Sequence, residues 1–303
     1  MKFGVGLKIS LLILSIIVFL VSGTILFKMF VFDPYISEKN IRVARDIYEK
    51  KDQEEFKNVK EKLEPLIKIN SDIKGWIKIE NTPINYPVVQ SKPDEPVFYL
   101  DKNYLKKRDS SGSIFINAFA PFGPDIQNIV LHGHSMRNGS MFAALLKYDL
   151  DFYKKTPVIS FDSIYAAGKW KIFAILRVNT LAKDGKVFNY LNPKFNTGKD
   201  FLELVYQMRI RSSIDTKIDI AETDKILTLS TCCYDIGIEN SRAVIVARKI
   251  RYGESKNVNT ESASKVKNPL MPEAWYKMKG IKMPEFSSFE QAYKENKINW
   301  IKT

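Results

Sequence analysis

The sequence predicts a mainly β fold, a barrel or sandwich of short strands, carried behind one N-terminal membrane-spanning helix. Three observations lead there. Between Asn70 and Tyr252, short runs rich in β-branched and aromatic residues recur at close spacing, with Pro and Gly between them. The run from Lys225 to Cys233 has the composition of a strand and ends where the chain turns polar. Ahead of these, Ile9 to Phe27 is apolar except for serine, threonine and glycine, about as long as a bilayer-spanning helix requires.

Lys2 and Lys8 precede the apolar run, so the positive-inside bias keeps the N-terminus cytoplasmic and exports the remainder. A cleaved signal peptide, with Val21, Ser22 and Gly23 as its small-residue site, is the rival reading. Apolar residues continue through Leu26, Phe27, Met29, Phe30, Val31 and Phe32, which favours an uncleaved anchor over residues 1–33. Residues 34–69 are charge-rich with helical spacing. Ile41, Val43, Ala44, Ile47 and Tyr48 mark one stripe. Phe56, Val59, Leu63 and Leu66 mark a second, which Pro65 interrupts. This region reads as a stalk or a helix pair that packs against the domain.

The domain proper runs over residues 70–252. Gly75 to Ile79 and Ile84 to Gln90 read as strands joined by a turn at Asn81, Thr82 and Pro83. Phe98–Leu100 and Gly112–Asn117 continue the strand pattern. Asn128 to His134 is a strand that breaks at Gly133. Ser140 is placed to N-cap a helix from Met141 to about Tyr148. Val158–Phe161 and Trp170–Val178 are further strands. A helix follows from about Gly198 to Arg211, with Phe201, Leu202, Leu204, Val205 and Met208 on its apolar side. The Cys232 strand and a strand from Ser241 to Ile250 complete the set. Residues 253–303 read as a polar linker, Glu254 to Asn268, and an aromatic tail able to dock a short helix.

The formal charge is +13, from 47 Lys and Arg against 34 Asp and Glu, which suits an anionic neighbourhood. The basic residues are dispersed, with no arginine-rich arm or aromatic–basic repeat. That composition argues against nucleic acid as the partner. The two cysteines are adjacent in sequence, where disulfide geometry is poor, so a disulfide framework is excluded. Strand alternation puts Leu227, Leu229, Thr231 and Cys233 on one face, the core face. Thr228, Ser230 and Cys232 fall on the other, expected to be polar and accessible.

Thiol catalysis needs a nucleophile, a proton-transfer partner and a donor for the developing oxyanion. The chain has only two histidines, His132 and His134, both at one strand end. His134 follows the glycine, where a side chain can swing into a cleft, and is the preferred catalytic candidate. Their alternate spacing also fits two zinc ligands, but a third ligand is needed and neither a matching Cys/His pair nor an HExxH motif is present. Arg242, at the start of the next strand, can set its guanidinium beside the Cys232 thiol. Taken singly, a strand-end cysteine is usually a packing group and a strand-initial arginine a surface cation. The combination with a strand-end histidine in an exported chain is what points to chemistry.

These residues carry a family resemblance. Thr228–Leu229–Ser230–Thr231–Cys232 followed by Ser241–Arg242 resembles the signature of the sortases, membrane-anchored cysteine transpeptidases of Gram-positive bacteria. Gly133–His134 matches the histidine motif of that family. Met136, Ser140, Met141 and Phe142 resemble its class B form, as do Gly75–Trp76–Ile77 and Tyr86–Pro87–Val88–Val89–Gln90. The resemblance covers roughly Asn70 to Tyr252.

It implies an eight-stranded β-barrel with added helices and a catalytic set of His134, Cys232 and Arg242. It implies that Ser230 lines the substrate groove and gives Cys233 no role. It further implies no metal and no organic cofactor. The implied substrates are secreted proteins with an Asn-Pro-x-Thr-like sorting signal, joined to a peptidoglycan cross-bridge amine. A pilus-building enzyme that uses a pilin lysine is the rival within the family. Asp33–Pro34–Tyr35 superficially resembles a class C lid motif but sits directly after the anchor. Outside the family, a thiol peptidase is disfavoured because His precedes Cys and the third member is Arg. A non-catalytic wall-binding domain held by its positive charge is the rival from another class.

Overall fold

The computed structural model of the chain describes residues 5–52 and 59–302; Lys2 and Phe56 lie outside the described residues. The chain divides into two units, Met1–Val43 and Ala44–Thr303. The first contains helix α1 (Val5–Phe27), a π-helical turn (Lys28–Phe32) and the start of α2 (Asp33–Asp52). At 1.5 Å per residue α1 is about 35 Å long, enough for the hydrocarbon core of a bilayer. The Ser15 and Thr24 hydroxyls donate to the Leu12 and Leu20 carbonyls at 2.8 and 2.9 Å, so neither is left unsatisfied on an apolar helix. Among the described residues this is the one helix long and apolar enough to cross a membrane.

In the second unit the strands are β1 (Ile73–Lys78), β2 (Asn85–Gln90), β3 (Ile114–Ile116), β4 (Asn128–His132), β5 (Val158–Ser163), β6 (Lys169–Val178), β8 (Ile226–Cys233) and β9 (Ser241–Lys249). They close a barrel in the order β1-β2-β3-β4-β8-β9-β6-β5, with β5 pairing back to β1. The pairs β2–β3 and β4–β8 are parallel; the others are antiparallel. The short strands β7 (Ile214–Asp215) and β10 (Ser264–Lys265) form a separate pair. The expected eight-stranded barrel is therefore the fold.

Helices α3 (Val59–Ile69) and α5 (Gly198–Ile210) pack on the outside of the barrel. Pro65 sits inside α3 without ending it. It costs a backbone hydrogen bond, but Leu63 and Leu66 are fully buried and hold the helix against the sheet. In the part of α2 that belongs to this unit, Tyr48 stacks on Trp76 with ring centroids 4.4 Å apart and donates to Asp162 at 2.7 Å. For α5, Thr197 and Asp200 form a reciprocal capping box, so the predicted start is set locally. Its apolar residues Phe201, Leu204, Val205 and Met208 meet Val130, Ile226, Val244 and Val246 of the barrel wall.

Four expectations need correction. Phe98–Leu100 is a 3₁₀ turn, not a strand, because the Tyr99 hydroxyl is pinned by Asn70 and Asp72 at 2.8 Å each. The helix expected from Met141 is only a 3₁₀ segment, Ala143–Lys147. Met141 has φ +56°, outside the helical region, and the Ser140 hydroxyl turns to Asn138 instead of capping. The regular helix comes later, as α4 (Leu150–Lys155), capped by Asp149. Third, the face of β8 carrying Thr228 and Ser230 is not accessible: both are buried under the α5 side of the wall. Their hydroxyls are paired with Asn128 Oδ1 and Tyr190 Oη at 2.8 and 2.9 Å, which removes the penalty for burying them.

Fourth, the polar stretch after residue 253 is partly structured. Glu254 accepts from Lys171 at 2.7 Å and pairs with Arg248, whose side chain is fully buried; Arg248 also reaches Asp219 at 3.1 Å. The Arg248 guanidinium beside it holds the Glu254 carboxyl well below its ordinary value. The tail that follows forms α6 (Glu273–Lys279) and α7 (Phe289–Lys294).

Because the Glu254 pKa is depressed in the fold, its contribution is complete above the ordinary Glu value of 4.5 and fades as pH falls below it. Glu254→Gln is expected to destabilise the chain at pH 7 by about 2 kcal/mol, less than a fully buried pair because Arg248 keeps Asp219. Urea denaturation at pH 7 and pH 3 checks this: the gap between variant and parent narrows at the lower pH.

Candidate active site

The site grows out of strand register. In the parallel pair, Leu131 stands opposite Leu229 and His132 opposite Ser230. Cys232 follows two residues on along β8, and His134 follows two residues past the end of β4. In the antiparallel pair on the other side, Cys232 stands opposite Arg242. Cys232 and Arg242 are therefore direct neighbours across β8 and β9, about 5 Å apart, and His134 lies just beyond the end of the adjacent strand β4. The cysteine is in the middle, and alternation gives Cys232 and Arg242 the same face.

β4 stops at His132, but the backbone stays fastened to β8. Gly133 N–H donates to the Ser230 carbonyl at 3.3 Å, and the Thr231 hydroxyl donates to the Gly133 carbonyl at 2.8 Å. Gly133 is required by close approach: a Cβ there would come 2.4 Å from Ile114 Cδ1 and 2.9 Å from Phe142 Cδ2. Beyond it, the His134 carbonyl accepts from Phe142 N–H at 2.8 Å, closing the loop. His134 Nε2 lies 2.8 Å from the Leu100 carbonyl oxygen. A carbonyl can only accept, so Nε2 carries the proton and Nδ1 is the acceptor of the neutral ring.

The two histidines differ sharply. His132 stacks on Phe115 with centroids 5.5 Å apart. Burial, with a smaller contribution from the Arg242 charge, pushes its pKa down to about 4, so it is neutral at physiological pH. The two cysteines differ likewise. Cys232 is half-buried at the strand end. Cys233 points into the barrel, fully buried, with its Sγ 3.2 Å from the Ser241 hydroxyl. Burial pushes its thiol up to about 11, so it is not a thiolate at neutral pH.

Arg242 is half-buried, and its Nη1 donates to the carbonyl oxygens of Asn240 and Ser241, both at 3.1 Å. Ser230 shares the face of Cys232 but is buried beneath Tyr190 through their 2.9 Å hydrogen bond. Beyond His132, an apolar cleft of about 270 Å³ opens between Ile116, Phe119, Phe122, Val130, Leu191 and Pro193. A thiol, an imidazole and a guanidinium so arranged can form and resolve a thioester: nucleophile, proton carrier and oxyanion donor are all at hand.

Sequence reasoning misses Leu100 and Tyr190. Leu100 acts through its carbonyl oxygen, which no side-chain pattern reveals. Tyr190 belongs to the long connection between β6 and α5, where one aromatic residue looks like any other.

The sequence model of the Sortase domain family matches residues 77–250. Sortase B of Staphylococcus aureus is 31% identical over 238 residues, covering 77% of this chain and 94% of that protein. Sortase B of Listeria monocytogenes is 33% identical over 198 residues, covering 63% of this chain and 75% of its own length. The solved Staphylococcus aureus sortase B–substrate complex superposes with a TM-score of 0.65 at 28% identity, covering 73% of this chain and all of that one. With a closed eight-stranded barrel, a strand-end thiol flanked by histidine and arginine, and these likenesses, the chain belongs to the sortase family of cysteine transpeptidases, in its class B branch.

Proposed function

We propose that this chain cleaves a C-terminal sorting signal of secreted proteins, holds the acyl group on Cys232 as a thioester, and passes it to an amine of the peptidoglycan cross-bridge. The observation that carries the reading is the pairing of Cys232 with Arg242 across β8 and β9, with His134 just past the end of the adjoining strand β4. In the first half-reaction the Cys232 thiolate attacks the scissile carbonyl carbon and the C–S bond forms. Arg242 donates to the oxyanion, or to the substrate backbone beside it. The C–N bond then breaks, and the His134 imidazolium gives its proton to the leaving amine. In the second half, an incoming amine attacks the thioester, neutral His134 takes its proton, and the thiolate leaves. The Nε2–H bond to Leu100 supports Nδ1 as the nitrogen that exchanges the proton.

Ser230, two residues before Cys232 on the same face of β8, contributes to the substrate groove, with its hydroxyl bonded to the Tyr190 hydroxyl at 2.9 Å. An Asn-Pro-x-Thr-like signal would lie along the face of β8, with apolar neighbours directed to the cleft beside His132. Residues 1–33 anchor the enzyme as a single pass with a cytoplasmic N-terminus, residues 34–69 lead to the barrel of 70–252, and the barrel works outside the membrane. This reading is supported by α1, long and apolar enough to span, and by Lys2 and Lys8 ahead of its apolar run.

Mass spectrometry of the chain incubated with candidate sorting peptides is expected to trap a thioester on Cys232, and added amine to divert it into a ligated product. Cys232→Ala and Arg242→Ala should lower turnover by about 100-fold or more, while Cys233→Ala stays within about twofold. Hydrolysis alone, whatever amine is supplied, would count for a peptidase instead.

A cysteine-directed thiosulfonate is expected to label Cys232 at least about 100-fold faster than Cys233 at pH 7.5, given the buried, high-pKa thiol of the latter. Equal, slow labelling would favour a binding module. His132→Gln should leave the shape of the pH–rate profile between pH 6 and 9 unchanged, since His132 is already neutral there. His134→Gln should lower turnover by about 100-fold or more.

A further inference from the structure

Residues beyond 250 fall outside the match to the family model, yet they are built into the catalytic half of the unit. Phe289 and Ala292 of α7 are buried in the same cluster as α5. Ile220 N–H donates to the Trp300 carbonyl at 2.8 Å and Lys302 N–H to the Ile220 carbonyl at 2.9 Å. These contacts fasten the end of the chain.

Helix α6 reaches elsewhere. Met278 lies against Gly237 in the β8–β9 loop, where a Cβ would stand 3.0 Å from Met278 Cε and 3.1 Å from Sδ. Glu273, the first residue of α6, closes on Gly185 in the β6–α5 connection, where a Cβ would stand 2.5 Å from Glu273 Cβ. Both glycines have positive φ, +73° and +112°, so backbone conformation favours glycine at each, and at Gly185 the close approach of Glu273 requires it too.

The two loops are also tied to each other. The Thr180 hydroxyl donates to the Asn240 carbonyl at 2.7 Å, and Lys183 pairs with Glu239 at 3.1 Å. The ion pair is exposed and contributes little. The Asn240 carbonyl matters more, because it is also the acceptor for Arg242 Nη1 at 3.1 Å. One oxygen thus holds the guanidinium on one side and the neighbouring loop on the other. Asn240 itself adopts φ +54°, a conformation that local preference alone does not secure.

We propose that α6 and Thr180 are positioning elements for Arg242: the helix seats the two loops against each other, and the Asn240 carbonyl fixed between them sets where the guanidinium stands beside Cys232. The inference rests on the catalytic role of Arg242 proposed above. A tail that merely covered the barrel would need neither contact at a glycine nor a shared acceptor.

The test uses the full chain in detergent, with peptide cleavage and amine transfer measured for Thr180→Val, Thr180→Ser and Met278→Ala, in both Arg242 and Arg242→Lys backgrounds. Thr180→Val is expected to lower kcat about fivefold with KM within about twofold, the effect of losing one hydrogen bond from the transition state rather than from binding. Thr180→Ser should recover the parent rate, and Met278→Ala should fall about threefold. With Lys at 242, Thr180→Val and Met278→Ala should each change kcat by less than about 1.5-fold, because their effect runs through the guanidinium. Hydrogen exchange over residues 234–242 should quicken in both variants while β8 keeps its protection.

Equal losses in the two backgrounds, or no loss with Arg242 present, overturn the proposal. Should Arg242→Lys itself leave kcat intact, the catalytic assignment fails instead, and the exchange measurement then decides the positioning: unchanged exchange overturns it, faster exchange supports it.

Discussion

The constraint on which the rest depends is the register of β4 and β9 against β8. Strand side chains alternate with a period of two, so a slip of one residue would turn Cys232 into the barrel and bring Cys233 out. Polar pins prevent that slip. Asn128 donates to the Tyr190 and Asn192 carbonyls at 2.9 and 3.0 Å while its Oδ1 accepts from Thr228 at 2.8 Å. Gln127 donates to the Glu222 and Asp224 carbonyls at 2.7 and 3.0 Å. At the far end Thr231 holds Gly133. The β4–β8 pair is thus bonded by side chains at both ends as well as by its ladder.

A parallel pair cannot be closed by a tight turn; the chain must cross over. Here the crossover from β4 to β8 contains β5, β6 and α5, which supply two more staves of the barrel and the helix that covers the wall. That explains why the ends of β4 and β8, about a hundred positions apart in sequence, meet in register, and why the covering side of β8 carries hydroxyls that are buried. Thr228 and Ser230 tolerate burial because each meets a partner on a neighbouring segment.

The site is also a study in matched pairs separated by environment. His132 and His134, and Cys232 and Cys233, are chemically identical within each pair. Burial disables one member of each: His132 is held neutral, and Cys233 is held as a thiol. The other members stand where β4 and β8 run out and the covering layer thins. Desolvation thus sets His132 and Cys233 apart from their neighbours, with no difference in side-chain chemistry to do it.

Local pattern in the sequence was enough for the membrane-length helix, most strand positions and α5, and it singled out His134, Cys232 and Arg242 as candidates, because periodicity and strand ends are short-range features. It was misleading at Phe98–Leu100 and at Met141, where a buried tyrosine hydroxyl and a positive φ override propensity. It was silent on Tyr190 and on the Leu100 carbonyl, since a backbone oxygen or a lone loop aromatic has no signature until distant segments are packed together. What the chain determined unaided is which residues are able to do chemistry; the closed barrel alone decided that Cys232 and Arg242 stand opposite each other and that β4 ends alongside β8, because register between remote strands is a property of the assembled sheet.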